Sequence, residues 1–211
     1  MQPQVLGVGG GVEPSNYLRS KTDGEAVLQA AGLDLTILRP SVIFGAEDSF
    51  LNLFAQLQAV FPVVPLASAG ARFQPVWVED VASAVEASLR DSGLPMSSVG
   101  QTFECVGPDV LTLADLVRIA GRYGSRQRPV LPLPAALGQL QARVMELMPG
   151  EPLMSRDNLA AMSVDNVATR QWPDLSALGI VPTSVHTVAP TYLGQRGGRS
   201  QLLDYRHEAG R

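Results

Sequence analysis

The strongest constraint on the fold is a regular alternation of short apolar segments with longer segments of helical periodicity. A helix is predicted to begin at the N-cap Ser15 and to end before Gly32. The apolar run Leu33–Leu38 that follows predicts a buried strand. Such alternation is typical of α/β proteins. The same pattern predicts further helices over 49–60, 79–90, 112–123, 134–148, 155–162 and 183–193, and strands over 4–8, 63–66, 73–78, 102–106 and 130–133.

Charge and ligand-forming residues exclude several classes of protein. The net charge of −4 and the pI near 5.2 predict that the chain does not bind nucleic acid. Cys105 is the single cysteine, so no intrachain disulfide and no cysteine-based metal site is expected, and its apolar neighbours predict that it packs in the core. His186 and His207 lie far apart in the sequence, so no metal site is predicted.

The apolar segments are too short to cross a membrane. The longest, residues 59–67, is interrupted by Pro62 and Pro65 and is far shorter than the ~20 residues that a spanning helix needs. The N-terminus lacks the basic segment of a signal peptide. The sequence therefore predicts a cytoplasmic protein without a transmembrane segment, with attachment at a membrane surface as the alternative.

Tyr17 and Lys21 form the most informative polar pair. They lie four residues apart in the first predicted helix and therefore on one face of it. A cation stabilises a nearby phenolate, so Lys21 is expected to lower the pKa of Tyr17 from its ordinary value near ~10. The pair is thus a candidate catalytic site in which Tyr17 acts as a general acid/base. A solvent-facing pair on an amphipathic helix is the alternative.

Motifs around this pair resemble the extended short-chain dehydrogenase/reductases, the NAD(P)-dependent epimerase/dehydratase relatives. They are Tyr-x-x-x-Lys at 17–21, Leu-Arg-Pro-Ser-Val-Ile-Phe-Gly at 38–45 and Gln-Pro-Val-Trp-Val-Glu-Asp-Val-Ala at 74–82. Later motifs look like the atypical branch that contains the NAD(P)-binding accessory subunit of respiratory complex I. These are Pro-Gly-x-Pro-Leu-x-x-Arg-Asp at 149–157, Val-Asp-Asn-Val at 164–167 and Leu-Gly-Ile-x-Pro-Thr at 178–183. The resemblance covers roughly residues 1–194.

The resemblance implies a fold and a division of the chain. We expect a partial Rossmann-like, mostly parallel sheet that lacks its first strands, with a small, mainly helical C-terminal region. Residues 1–125 would form the C-terminal half of an NAD(P)-binding domain, with segments of the substrate region between its elements. Residues 126–194 would form the small helical substrate or partner region, and residues 195–211 a disordered tail.

The resemblance also implies a cofactor, NAD or NADP, and the residues that contact it. Tyr17 and Lys21 would lie beside the nicotinamide. The end of the following strand would pass the nicotinamide ribose, which makes Pro40, Ser41, Val42 and Ile43 candidate cofactor-binding residues.

Two departures from the family pattern predict little independent catalysis. Family members bind the cofactor diphosphate with a Gly-x-x-Gly-x-x-Gly turn at a helix N-terminus. The glycines at 7 and 9–11 have no helix at the right offset and are expected to form a loop. Residues 1–14 contain no Ser or Thr to act as the hydroxyl partner of the tyrosine. We therefore expect a fragment or truncated form with a structural, quinone- or respiratory-complex-associated role, which by itself binds NAD(P)H weakly or not at all.

Two other functions remain open. The truncated sheet would expose an edge, and the chain could be a non-catalytic interaction module that pairs through this edge with a protein partner or a second copy. Alternatively, it could be an oxidoreductase or epimerase that needs its missing N-terminal half.

Overall fold

The computed structural model describes residues 13–90, 97–124, 126–147 and 154–194, together with the backbone of residues 2–3. The strand predicted at 4–8, the glycine cluster at 7–11 and the predicted disordered tail lie outside the described residues. So do the first five residues of the motif at 149–157.

The described elements follow the predicted alternation of strands and helices. The strands are β1 Gln2–Pro3, β2 Ile37–Pro40, β3 Ile43–Phe44, β4 Val64–Leu66, β5 Arg72–Phe73, β6 Val76–Trp77, β7 Thr102–Cys105, β8 Leu111–Thr112 and β9 Val130–Pro132. The helices are α1 Asn16–Ala30, α2 Leu51–Val60, α3 Val78–Arg90, α4 Leu113–Tyr123, α5 Ala135–Glu146, α6 Arg156–Ala161 and α7 Val185–Tyr192, with a 3-10 helix at Leu175–Leu178. None of the helices in this described part is long and apolar enough to cross a membrane.

Parallel pairing dominates the sheets. The largest has three strands in the order β1-β2-β7, all parallel, with Leu38 opposite Phe103. Two separate two-stranded sheets, β3 with β6 and β4 with β9, are also parallel, and only β5 with β8 is antiparallel among the described strands. The predicted α/β class with a mostly parallel sheet is confirmed.

Local capping signals account for the ends of two helices. The Ser15 hydroxyl accepts a hydrogen bond from the N–H of Leu18 and caps α1, and Gly32 follows the helix with a φ of +65°, which favours glycine. Thr112 and Asp115 form a reciprocal capping box at the start of α4, as their spacing predicts.

Among the described residues, the two larger of three apolar clusters form most of the core. The larger surrounds α4, and the smaller lies between the three-stranded sheet, α3 and the 3-10 helix. Cys105 belongs to the smaller cluster and is fully buried, which confirms the predicted packing role, and burial raises its pKa to about 12. Both clusters draw residues from either side of residue 125, so the predicted domain boundary there remains a prediction.

A buried polar side chain joins α2 to α4. Gln58 is fully buried; its Nε2 donates to the carbonyl of Val117 at 2.7 Å, and its Oε1 accepts from the N–H of Arg128 at 3.0 Å. Gly121 lies against this carboxamide: a Cβ at that position would come within 2.1 Å of Gln58 Oε1. The close approach of the two helices therefore requires glycine at this point.

Two predicted strands have different limits in the structure. The strand expected at 33–38 begins only at Ile37 and ends at Pro40, because Leu33 and Asp34 are exposed beyond the edge of the sheet. The strand expected at 73–78 is two separate strands. Pro75 between them lacks an N–H for pairing, and Gly107 packs against its carbonyl.

Candidate functional site

The predicted pair lies on one face of α1. The Nζ of Lys21 is 5.7 Å from the centroid of the Tyr17 ring, and 48% of Tyr17 is exposed. Lys21 forms no ion pair with any described residue. It is also the only lysine of the sequence, since every other basic residue apart from histidine is arginine.

The expected effect of Lys21 on Tyr17 is wrong in its direction. Partial burial raises the pKa of the Tyr17 phenol above its ordinary value. The ammonium of Lys21 lies over the ring at cation–π distance, and it does not offset this rise. Removal of water from the phenolate therefore dominates, and Tyr17 stays protonated over the physiological range.

A carboxylate from a distant part of the chain binds the start of α1. Asp157, at the beginning of α6, accepts hydrogen bonds from the N–H groups of Asn16 at 2.7 Å and Tyr17 at 3.1 Å. These are among the N–H groups that a helix leaves unpaired at its N-terminus, where negative charge is favoured. The C-terminal region thus fixes the position of the helix that carries the tyrosine.

An ion pair fixes the other side of α1. Glu25 on α1 and Arg39 on β2 are both almost buried and form two hydrogen bonds, from Nε at 3.2 Å and from NH2 at 2.5 Å. The guanidinium of Arg39 also lies 5.5 Å from the ring centroid of Trp172. This contact holds α1 against the strand that leads to the candidate cofactor segment.

The candidate segment Pro40–Ile43 joins the carboxyl end of β2 to β3. Pro40 and Ser41 are buried, Val42 is half-buried, and Ile43 is exposed. The Ser41 hydroxyl is already engaged: it donates to the carbonyl of Asn166 at 2.9 Å and accepts from the N–H of Gln74 at 3.2 Å. In this structure Ser41 therefore connects segments of the fold.

Tyr17 lines a pocket of about 240 Å³, which we call the Tyr17 pocket. Its walls come from α1, β5 and α6 and from the segment that follows α6. Five of the side chains are apolar, and the polar ones are a phenol and two carboxamides. The lining residues are Tyr17, Leu18, Phe73, Asn158, Ala161, Met162, Val164 and Asn166.

The structure brings some of the candidate residues together and separates others. Tyr17 and Lys21 are neighbours, but none of the four residues Pro40, Ser41, Val42 and Ile43 lines the Tyr17 pocket. The connection between the two groups is the hydrogen bond from Ser41 to the backbone of Asn166. Sequence reasoning missed Asn166 as a site residue, although the motif at 164–167 contains it. The cofactor and catalytic roles of all six residues remain predictions.

The residues of α1 fit one half of a nicotinamide cofactor better than the other. The ammonium of Lys21, which has no ion-pair partner among the described residues, and the half-exposed phenol of Tyr17 can donate hydrogen bonds to hydroxyl or amide groups. The N-terminus of α1, by contrast, cannot hold a diphosphate, because Ser15 and Asp157 already occupy its N–H groups. The residues of α1 therefore fit the nicotinamide half of the cofactor and do not fit its diphosphate.

Comparison of sequences finds relatives among respiratory-chain subunits. The chain is 32% identical over 189 residues to NADH dehydrogenase (ubiquinone) 1 alpha subcomplex subunit 9, mitochondrial, of Arabidopsis thaliana. This alignment covers 85% of this chain and 46% of the relative. It is 35% identical over 173 residues to the protein of the same name from Mus musculus, covering 80% and 44%. The chain spans about half the length of these curated relatives. A ceramide reductase of Caulobacter vibrioides is 35% identical over 126 residues, covering 58% of this chain and 38% of the relative. No family model matches.

Solved structures show the same fold at low identity. A nucleoside-diphosphate-sugar epimerase of Staphylococcus aureus superposes with a TM-score of 0.62 at 12% identity, over 89% of this chain and 63% of that one. The UDP-glucuronic acid 4-epimerase of Bacillus cereus, in complex with UDP-glucuronic acid and NAD, gives a TM-score of 0.58 at 14% identity, over 90% and 59%. The chain is therefore similar in sequence to these NADH dehydrogenase subunits over about half of their length, and it has the fold of these epimerases.

Proposed function

We propose that this chain supplies the nicotinamide-facing part of an NAD(P)-binding site in an accessory protein of a respiratory NADH dehydrogenase. The observation that carries the proposal is the contact between Tyr17 and Lys21 on α1, in which Lys21 forms no ion pair within the part of the chain that the structure describes. The composition supports it: a chain that uses arginine at its other basic positions has lysine here, where the family motif needs a compact ammonium.

In this function Lys21 would bind the nicotinamide ribose, and Tyr17 would lie beside the nicotinamide ring. The segment Pro40–Ile43 would pass the ribose on the other side. The cofactor, when bound, supplies hydride chemistry. A role in holding the cofactor is favoured over turnover, because burial raises the pKa of Tyr17 and so opposes formation of a phenolate base.

The test uses a ligand that needs no diphosphate cradle. Reduced nicotinamide mononucleotide contains only the nicotinamide half of NADH, and AMP contains only the adenosine half. Reductive methylation with 13C-formaldehyde gives a single lysine signal, from Lys21, and leaves its positive charge. We expect reduced nicotinamide mononucleotide to shift this signal and AMP to leave it unchanged.

A variant controls for attraction between the phosphate group and the positive charge. Lys21→Arg keeps the charge but not the compact ammonium, and we expect it to weaken binding of reduced nicotinamide mononucleotide, measured by calorimetry. Equal shifts with AMP, no shift with millimolar reduced nicotinamide mononucleotide, or undiminished binding to Lys21→Arg would contradict the proposal.

A second candidate function is favoured by the similarity to the ceramide reductase. In that case the protein is an oxidoreductase in which Tyr17 exchanges a proton with the substrate oxygen. Tyr17→Phe should then abolish turnover of a ketone substrate in the presence of NADPH while cofactor binding changes little, because it removes only the hydroxyl. Turnover that persists in this variant would reject the catalytic role.

The protein partner is proposed to bind at the edge of the three-stranded sheet. Among the described strands, β1 pairs with β2 on one side only, so its other edge can accept a strand. Gln2 belongs to this strand. Replacement of Gln2 by Pro removes one backbone N–H and should weaken association, measured by light scattering for a second copy or by co-purification with NADH dehydrogenase subunits. Unchanged association would place the interface elsewhere.

A further inference from the structure

A row of apolar side chains on α5 is exposed. Four of the side chains on this helix and its C-cap are leucine or valine, and each is more than half exposed, from 51% for Leu137 to 86% for Leu147. Single exposed apolar residues are ordinary on a protein surface, whereas a contiguous apolar patch is typical of an interaction site. We call this row the α5 seam. It consists of Leu137, Leu140, Val144 and Leu147.

Another face of α5 holds the helix against the rest of the protein. Gly138 and Ala142 are buried there, and an added Cβ at residue 138 would lie 2.8 Å from the Cβ of Ala67. At the end of the helix, Glu146 accepts hydrogen bonds from the N–H and the Nε of Arg156, both at 2.8 Å. Because the face with the small residues is the one that packs, the α5 seam is left on the outside.

The spacing of the α5 seam selects the kind of structure that can cover it. Its residues follow one another at intervals of three, four and three, which is the a/d pattern of two coiled-coil heptads. Leu137 and Val144 occupy the a positions, and Leu140 and Leu147 occupy the d positions. Side chains at these positions insert between the side chains of a second helix. A helix with its own apolar row at heptad spacing is therefore complementary to the seam.

A lipid surface fits α5 less well than a helix does. Helices that lie in a membrane interface combine an apolar face with a polar face rich in lysine and arginine, and often carry aromatic residues. The sequence of α5 contains no lysine and no aromatic residue, and its single cation is Arg143. The face that would have to be polar packs on the protein through Gly138 and Ala142. The seam therefore favours a protein helix over a bilayer.

The charge beside the α5 seam indicates what kind of helix fits. Arg143 is at the g position of the heptad, where coiled coils carry the charges that select a partner. It is exposed and forms no ion pair with another described residue, since the carboxylate of Glu146 is bonded to Arg156. A second copy in antiparallel pairing would bring its own Arg143 close to this one. A helix with a carboxylate at the facing position would instead form an ion pair.

We propose that the α5 seam binds an amphipathic helix of another protein, one with leucine-type side chains at heptad spacing and carboxylates beside them. The two helices pack as a short coiled coil, and Arg143 pairs with a carboxylate of the partner. The seam contains no residue of the Tyr17 pocket or of β1. The proposal therefore does not depend on the proposed function.

The first experiment titrates the 211-residue chain into two fluorescently labelled helical peptides and follows their anisotropy. Both peptides have leucine at positions a and d of each heptad; one has glutamate and the other lysine at positions e and g. At about 0.15 M salt, we expect the glutamate peptide to bind about 3–10-fold more tightly, because an ion pair with Arg143 replaces a like-charge contact. The net charge of −4 favours the lysine peptide, so general attraction does not produce this order.

Matched variants locate the binding surface. Leu140→Glu puts a charge into the seam and should weaken binding of the glutamate peptide by about 10-fold or more. Leu89→Glu is the control, because Leu89 is an exposed leucine on another helix, α3, and this variant should bind like the unmodified chain. Arg143→Glu should reverse the preference in favour of the lysine peptide. All three side chains are exposed, so the variants should fold, which circular dichroism checks.

Several results with the peptides would overturn the proposal. They are tighter binding of the lysine peptide to the unmodified chain, a preference for glutamate that survives Arg143→Glu, binding that survives Leu140→Glu, or no binding of either peptide.

Two further measurements test other occupants of the α5 seam. Sedimentation equilibrium would assign the seam to a second copy if the chain forms a dimer that Leu140→Glu dissociates and Leu89→Glu does not. Co-sedimentation with vesicles of equal parts phosphatidylcholine and phosphatidylglycerol would assign it to a lipid surface if Leu140→Glu alone abolishes binding. Either result would overturn the proposal, and we expect neither.

Discussion

Replacement of Gly121 by Ala should destabilise the protein, although helix propensity alone predicts the opposite. In the interior of a helix, Gly→Ala is worth about 1 kcal/mol of stability. Gly121 lies inside α4, but a Cβ there would come within 2.1 Å of Oε1, 2.7 Å of Cδ and 2.8 Å of Nε2 of Gln58. The whole carboxamide would have to move.

The cost of that movement follows from the bonds that Gln58 makes. Its side chain is fully buried and links α2 to the carbonyl of Val117 and to the N–H of Arg128. Two lost hydrogen bonds cost about 1 kcal/mol each, and overpacking adds roughly 1–3 kcal/mol. After the gain in helix propensity, the net loss is roughly 2–4 kcal/mol, or a fall in Tm of roughly 4–16 °C for a chain of this size.

Urea unfolding followed by circular dichroism measures this change, and Gly24 provides the control. Gly24 lies inside α1, and nothing lies within 4 Å of the position of an added Cβ. Gly24→Ala should therefore stabilise the protein by up to about 1 kcal/mol. In a Gln58→Ala background, which removes the clash, Gly121→Ala should cease to destabilise. Stability of Gly121→Ala equal to that of Gly24→Ala, or an equal loss in the Gln58→Ala background, would refute the reasoning.

Three further predictions concern titratable groups. Cys105 is buried, and its pKa is raised to about 12. Ellman's reagent at pH 8 should therefore detect no thiol in the native chain and one thiol in guanidinium. Reaction of the native chain would show that the core opens. The Thr112 hydroxyl, followed by weaker hydrogen bonds and Arg118, lowers the pKa of Asp115, so this stabilisation is present above pH ~4 and is lost as the pH falls through the lowered value. Thr112→Val should cost about 1 kcal/mol at pH 7 and less at pH 3 in urea unfolding, and an equal cost at both pH values would count against the capping box. Burial raises the pKa of Tyr17 above its ordinary value near 10. The difference in absorbance at 295 nm between the unmodified chain and Tyr17→Phe should therefore titrate above pH 10. A midpoint below pH 10 would show that Lys21 lowers the pKa of Tyr17 after all.

Much of the fold could be predicted because its signals are local. The N-cap Ser15 and the capping box of Thr112 and Asp115 each act over three residues, so the sequence contains all the atoms that decide those helix starts. The shared face of Tyr17 and Lys21 follows from four-residue spacing in the same way. Strand limits depend on distant partners: β2 begins at Ile37, where pairing with β7 begins, and that partner strand lies 65 residues further along the chain.

The α/β class, the helices and the pairing of a tyrosine with a lysine on one helix follow from local sequence patterns. The surroundings of that pair depend on contacts between distant segments of the chain. Asp157, 140 residues away from Tyr17, binds the helix start, and Asn166 lines the pocket with a side chain whose Oδ1 has no hydrogen-bond partner among the described residues. The direction of the Tyr17 pKa was decided there too, because desolvation depends on every group packed around the phenol, whereas the spacing of Lys21 describes only one of them.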